Sequence, residues 1–223
     1  MSSAPSQLVV RRYGPNEDRA PLRRFWYETY VTEMQRDLDR ADHERRELPD
    51  PRDGTGLIIA ALDGERVVGT IICTPCWRGT MGQYTSLYRL RELGEDYASH
   101  TGIITKLMVA PEYRASSLSL RLSTALYRHG VPMGMDQVII DCNDYLVPFF
   151  TKLGFRKWID PVEHPAYGRV HVLKFDCLDL SHLRRVGSPL IKIAREIAPT
   201  VTGGREVDTQ DTHDNNTLPG VPA

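Results

Sequence analysis

A mixed α/β domain (an α+β mixed sheet with helices on its faces) is expected from three features. Strand-like and helix-like segments alternate through residues 8–177, an Asp-Gly hairpin joins two apolar runs, and glycine or proline closes the later helices. Leu8–Tyr13 is short, β-rich and closed by Gly14-Pro15, so it reads as the first strand. Residues 18–46 carry helical spacing, with Leu22, Phe25, Trp26, Thr29, Tyr30 and Met34 three and four apart. They predict two helices or one bent one ending near Pro49, and residues 50–54 have turn chemistry. Residues 57–62 and 67–72 then pair across Asp63-Gly64-Glu65, a strong hairpin signal.

Residues 75–100 read as loop plus a short helix at 87–93. A strand at 103–109 stops at Ala110-Pro111, and a helix at 116–129 presents Leu118, Leu122 and Leu126 to the core before Gly130 and Pro132 end it. A buried strand at 137–141 follows, then a helix at 145–153 stopped by Gly154. Strands at 155–158 and 169–175 close the sheet, and residues 181–197 carry short amphipathic helices. The domain is expected over 8–198, with a frayed segment at 1–7. Beyond Pro199 the composition turns polar and acidic, so 199–223 is expected to be a disordered tail.

Lys and Arg total 28 against 29 Asp and Glu, so no global charge draws the chain to nucleic acid or anionic membrane. The longest clean apolar run, 57–62, is far short of the ~20 residues a membrane span needs. The first seven residues have neither the basic start nor the apolar stretch of a secretory signal, so a cytoplasmic protein is expected. Cys73, Cys76, Cys142 and Cys177 then read as free thiols. Cys73 and Cys76 have half a zinc knuckle's spacing without a second ligand pair, so no metal is expected.

The informative stretch is Leu107-Met108-Val109-Ala110-Pro111-Glu112-Tyr113-Arg114-Ala115-Ser116-Ser117-Leu118-Ser119. A strand runs into a Pro-bounded turn, then an Arg and small residues, then a helix. Unpaired N–H groups at a helix N-terminus favour an anion, small side chains let phosphate approach the backbone, and Arg114 adds a charged donor.

Val109, Pro111, Tyr113 and Arg114 resemble the strand-to-loop pattern of the GNAT superfamily of N-acyltransferases, and residues 141–155, from Asp141-Cys142-Asn143 to Gly154-Phe155, resemble a second motif of that family. The resemblance implies a central, mostly antiparallel sheet whose fourth and fifth strands splay around the pantetheine arm of an acyl thioester, which an amine attacks directly. It implies that Leu107, Met108, Val109 and Asn143 hold the thioester and pantetheine, while Arg114, Ala115, Ser116, Ser117, Leu118 and Ser119 hold phosphate. Ser117 and Ser119 replace the usual small glycine-like residues. This makes a singly phosphorylated donor, the phosphopantetheine of an acyl carrier protein, an alternative to acyl-coenzyme A (acyl-CoA). Phe150 replaces a tyrosine that relatives use as general acid, which leaves Tyr145, Cys142 or water to protonate the leaving thiolate.

The segment 22–34, Ala41-Asp42-His43, Leu107-Met108-Val109 and Asp141-Cys142 resemble a narrower branch, the long-chain N-acyl amino acid synthases and acyl-homoserine-lactone synthases. That likeness implies a fatty acyl donor and an amine acceptor, and it makes Glu33 a candidate to hold the amine or act as base. The plain alternative for Glu33 is a solvated helix carboxylate, and for His43 a surface residue in a charged run. Cys142 as a nucleophile would need His171 nearby and has Asp141 as an unfavourable neighbour. Lys106 faces either the cleft or solvent, a question of register. Two other classes stay open: an acetyltransferase using acetyl-CoA, and a non-catalytic protein that binds acyl thioesters or a carrier protein. A deep apolar pocket would favour the fatty-acyl enzyme over the acetyltransferase.

Overall fold

The computed structural model describes residues 8–79 and 81–202. The segments 1–7 and 203–223, which hold the expected frayed start and most of the expected tail, lie outside the described residues. In chain order the elements are β1 (Leu8–Tyr13), α1 (Ala20–Tyr27), β2 (Leu57–Asp63), β3 (Arg66–Pro75), α2 (Tyr84–Leu87), α3 (Tyr97–His100), β4 (Thr101–Val109), α4 (Leu118–Gly130), β5 (Gln137–Cys142), α5 (Val147–Leu153), β6 (Arg156–His164), β7 (Gly168–Asp176), α6 (Leu180–Arg185) and α7 (Ile191–Thr202). The strands form one sheet in the order β1-β2-β3-β4-β5-β7-β6, antiparallel except for β4 beside β5.

One face of the sheet is sealed by α4 to α7. Leu122, Phe150, Leu183 and Ala194 pack there on Ile71, Ile104 and Phe175. The other face carries two separate apolar clusters. Leu22 and Trp26 of α1 cover Ile58, Ala60 and Ile72, while Tyr84, Tyr88 and Leu90 cover Ile103, Ile139 and Val172. The gap between these clusters is the polar cleft described below.

Four elements differ from expectation for physical reasons. The helix expected through residue 46 ends early: α1 widens into a π-helical turn over Glu28–Glu33, where Thr29 Oγ1 donates back to the Phe25 carbonyl at 2.9 Å. From Arg36 onward polar and charged side chains replace the apolar stripe, and the chain is irregular up to β2. The helix expected at 87–93 is split by Arg89, whose φ is 50°. Strand β6 runs past Trp158 to His164, although it contains Pro161. As an edge strand it tolerates a residue with no N–H to donate, and its register shifts there. Helix α7 continues through Pro199 to Thr202, because Ile197 and Val201 still reach the core.

Candidate functional site

The site begins where one strand pairing stops. β4 and β5 are bonded only from Thr101–Gln137 to Ile104–Ile140, and beyond these residues the two strands splay. On its other side β4 bulges: Ile71 of β3 faces two residues, Lys106 and Leu107. Lys106 takes a φ of 53°, rare for a residue with a side chain. Side chains hold this bulge in place. Trp26 Nε1 donates to Thr70 Oγ1 at 3.2 Å, and that hydroxyl donates to the Lys106 carbonyl at 3.0 Å.

Splay and bulge open a cleft of about 180 Å³ that crosses the sheet. Leu107, Met108, Ile140 and Phe150 line its strand and α5 side; Tyr30, Tyr84, His164 and Tyr167 line the opposite side. Three of these rings are layered: Tyr30 stacks on Tyr167 at 5.7 Å, and Tyr167 on His164 at 4.2 Å. Arg36 lies over Tyr167 and Arg52 over Tyr84, both at 4.8 Å.

Lys106 faces inward. Its Nζ bonds Asp50 and sits 4.8 Å over the Trp26 ring, and both side chains of the ion pair are buried. Arg52 Nε is the second partner of Asp50, at 3.2 Å. Burial alone would raise the Asp50 carboxyl, but Lys106 and Arg52 outweigh it and hold it well below the usual carboxylate range. Burial pushes the Lys106 ammonium down, and Asp50 pulls it part of the way back.

A second cleft carboxylate is placed differently. Asp141, at the splayed end of β5, is half-buried and has no cation among the groups that act on it. Burial raises it to about 6, against an opposing contribution from the Tyr88 hydroxyl. That hydroxyl is close to Asp141 but satisfied by no well-formed hydrogen bond; Arg36 Nε and His164 Nε2 are also buried without a partner.

A small apolar cavity of about 40 Å³ lies behind the cleft, under α4 and α5. Ile71, Ile104, Leu126, Met135, Leu153 and Phe175 contribute to its wall. Phe150, 2% exposed, is the one described residue that lines both the cleft and this cavity. Gly154 sets its helix: at φ 121° it ends α5, and a Cβ there would come within 2.6 Å of Leu183.

The expected donor residues divide between the cleft and its approach. Leu107, Met108 and Asn143 line the cleft, and exposed Tyr145 stands at its edge. Val109 is buried, and its carbonyl accepts from Arg114 Nε at 3.0 Å. Ala115, Ser116 and Ser117 are exposed before α4, while Leu118 is buried and Ser119 partly so. Ser116 Oγ accepts from the Leu118 N–H at 3.2 Å and donates to the Tyr113 carbonyl.

The catalytic candidates are placed less favourably. Glu33 is the counter-ion of Arg114, two bonds at 2.6 and 2.7 Å, and is not in the cleft wall; the guanidinium holds its carboxyl down. Cys142 lines the cleft, but burial, then Asp141 and Asp144, push its thiol up to about 12, which leaves almost no thiolate at neutral pH. His171, its partner across the ladder, bonds Asp144 at 2.5 Å. His43 bonds the Tyr27 hydroxyl at 2.9 Å, away from the cleft wall. Among the described residues no group of three or more His, Cys, Asp or Glu is placed to hold a metal, and no helix is long and apolar enough to cross a membrane.

A parallel strand pair that splays, beside a bulged strand feeding an Arg-bearing turn and a helix, is the arrangement that the sequence resemblance leads one to expect. The sequence profile of the Acetyltransferase (GNAT) family matches residues 21–155, more than half of the chain. The chain belongs to that family. It is a GNAT-type acyltransferase, an enzyme class that transfers an acyl group to an amine. No curated protein matches it. Its fold is shared with a CoA-dependent acyl-homoserine lactone synthase, BjaI, with MTA (TM-score 0.64, 18% identity, 83% of this chain and 92% of that one). It is shared equally with FeeM, an N-acyl amino acid synthase from uncultured soil microbes (0.62, 16%, 84% and 98%). Escherichia coli ElaA is similar at 0.53, with 12% identity, 76% of this GNAT chain and all of that one. The first two fall in the branch that the N-terminal segment resembles.

Proposed function

We propose that this GNAT enzyme moves a fatty acyl group from a pantetheine thioester to an amine by direct attack. The observation that carries the reading is the apolar cavity that Phe150 alone, among the described residues, separates from the cleft. An acetyl group needs only a stub, whereas a fatty chain needs apolar surroundings beyond the thioester, and the small cavity supplies an apolar wall on that side of the cleft. Phe150 supports it again. A tyrosine at that position would set a hydroxyl at the mouth of the apolar space, and phenylalanine leaves the path apolar.

The donor approaches from the α4 side. Arg114 and the backbone of residues 115–119 would hold phosphate, and the backbone of Leu107–Val109, freed by the splay, would bond the pantetheine amides and polarise the thioester carbonyl. The amine enters from the side of Tyr30, Tyr84 and Tyr167, so that the reactants meet at the splay without an acyl-enzyme. The Cys142 thiol and its burial fit that direct route. Tyr145 is the side chain available to protonate the leaving thiolate. Acyl-CoA and the phosphopantetheine of an acyl carrier protein are both donors of this chemistry.

The test supplies C2 to C16 acyl-CoA thioesters and a C16 acyl carrier protein with a mixed amine pool, and reads thiol release and amide mass. Fatty amide formed from long donors supports the reading. Release from acetyl-CoA alone makes the protein an acetyltransferase, and donor binding without release makes it a thioester sensor.

A further inference from the structure

Among the cleft groups that donor binding does not use, Asp141 is singular. Two carboxylates line the cleft wall, and Asp50 is committed to Lys106 and Arg52. Asp141 has no such partner; the titratable groups around it are Tyr88, Tyr30, Tyr84 and Tyr167 from the elements packed over it, and Cys142 beside it. Asp144 follows in the next turn and is bonded to His171. Arg36, Arg40, Arg52, Lys106, His164 and Tyr145 complete the charged or titratable wall of the cleft. An unpaired carboxylate among tyrosines is a poor structural device, because burial without a cation destabilises its charge. It is a good receptor for an ammonium group, and it sits where β4 and β5 part.

We propose that Asp141 is the general base that takes the proton from the incoming ammonium, with the Tyr88 hydroxyl as its positioning partner. The proposal rests on the acyl-transfer reading above. The Asp141 carboxylate removes one proton from the ammonium, and the freed nitrogen pair forms the C–N bond as the carbonyl π pair moves to oxygen. The C–S bond breaks when that pair returns; the thiolate takes the Tyr145 hydroxyl proton, and the second nitrogen proton restores that hydroxyl. The products are an amide and a free thiol, and the proton on Asp141 leaves to water. Base catalysis by a side chain ionised at working pH suits a carboxyl raised to about 6.

The experiment measures thiol release from palmitoyl-CoA between pH 5 and 9, using the amine pool and then the amine that the pool assay selects. The proposal expects kcat to rise through pH ~6 in the unmodified protein. In Asp141→Asn kcat should fall about 100-fold or more and lose that limb, while KM for the donor stays unchanged. Tyr88→Phe should shift the limb upward, since the hydroxyl lowers the Asp141 carboxyl. His164→Gln, which removes the imidazole from the cleft wall, should keep the limb. Turnover of Asp141→Asn within about threefold of the unmodified protein, or a limb lost in His164→Gln instead, overturns the assignment and leaves acyl transfer standing. No thiol release by the unmodified protein from any donor overturns both.

Discussion

Replacing Asp50 with Asn strands the Lys106 ammonium inside the protein. The Lys106 side chain is 7% exposed and that of Asp50 5%, so water cannot take over the lost partner. Breaking a buried pair on one side costs about 3–5 kcal/mol. Lys106 has one escape, which is to lose its proton. From an ordinary value near 10.4 that costs about 4.5 kcal/mol at pH 7 and about 2 kcal/mol at pH 9, at ~1.36 kcal/mol per unit. The stability loss in Asp50→Asn is therefore capped near 4.5 kcal/mol at neutral pH and should shrink to about 2 kcal/mol at pH 9. The sign follows from linkage: folded Lys106, already pushed down by burial, binds fewer protons than the unfolded lysine, so the variant's stability rises with pH. Lys106→Met should cost less, because Arg52 still holds Asp50 at 3.2 Å, and the double variant should recover much of the loss. Urea unfolding at pH 7 and 9 measures all three variants. A loss below 1 kcal/mol in Asp50→Asn at pH 7, or one that does not change with pH, would refute the buried-pair argument.

Other predictions follow from the same geometry. Phe150→Ala should merge cleft and cavity and shift the donor optimum to longer chains, at about 3–5 kcal/mol of stability; an unchanged chain-length profile in a folded variant would exclude the route past Phe150. Because Glu33 occupies the Arg114 guanidinium, Glu33→Gln should lower the donor KM severalfold, and Arg114→Ala should raise it about tenfold or more, both read by donor kinetics. Asp141 is held near 6 in the fold against ~3.9 unfolded, so its stability contribution is present below pH ~4 and is lost as pH rises to about 6. Asp141→Asn should then gain about 1–2 kcal/mol at pH 8, after allowance for water in the cleft, and almost nothing at pH 4, by thermal melts at both.

The order of strands and helices was legible because its punctuation is local. Asp63-Gly64 makes a hairpin in any surroundings, and Gly154 stops α5 at a φ of 121° that few other residues accept. The turn carrying Arg114 was legible for the same reason. The acceptor side of the cleft was not. Asp50 and Arg52 read as turn residues, yet they become half of a charge cluster only because β4 bulges and turns Lys106 toward them. Tyr30, Tyr84 and Tyr167 come from three distant segments and share no spacing. One signal was available for Lys106, the sole charged residue in the run 103–109, and one for Asp141, a carboxylate at the end of a buried strand. Glu33 shows the reverse limit. Its acidity was legible, but its pairing with a residue 81 positions away was not.

Thiol release across an acyl-CoA series from C2 to C16 tests whether the apolar space behind Phe150 takes a fatty chain. The account predicts that kcat/KM rises with chain length to a long-chain optimum, with a fatty amide appearing in step with free thiol. A maximum at C2 that falls as the chain grows would contradict it.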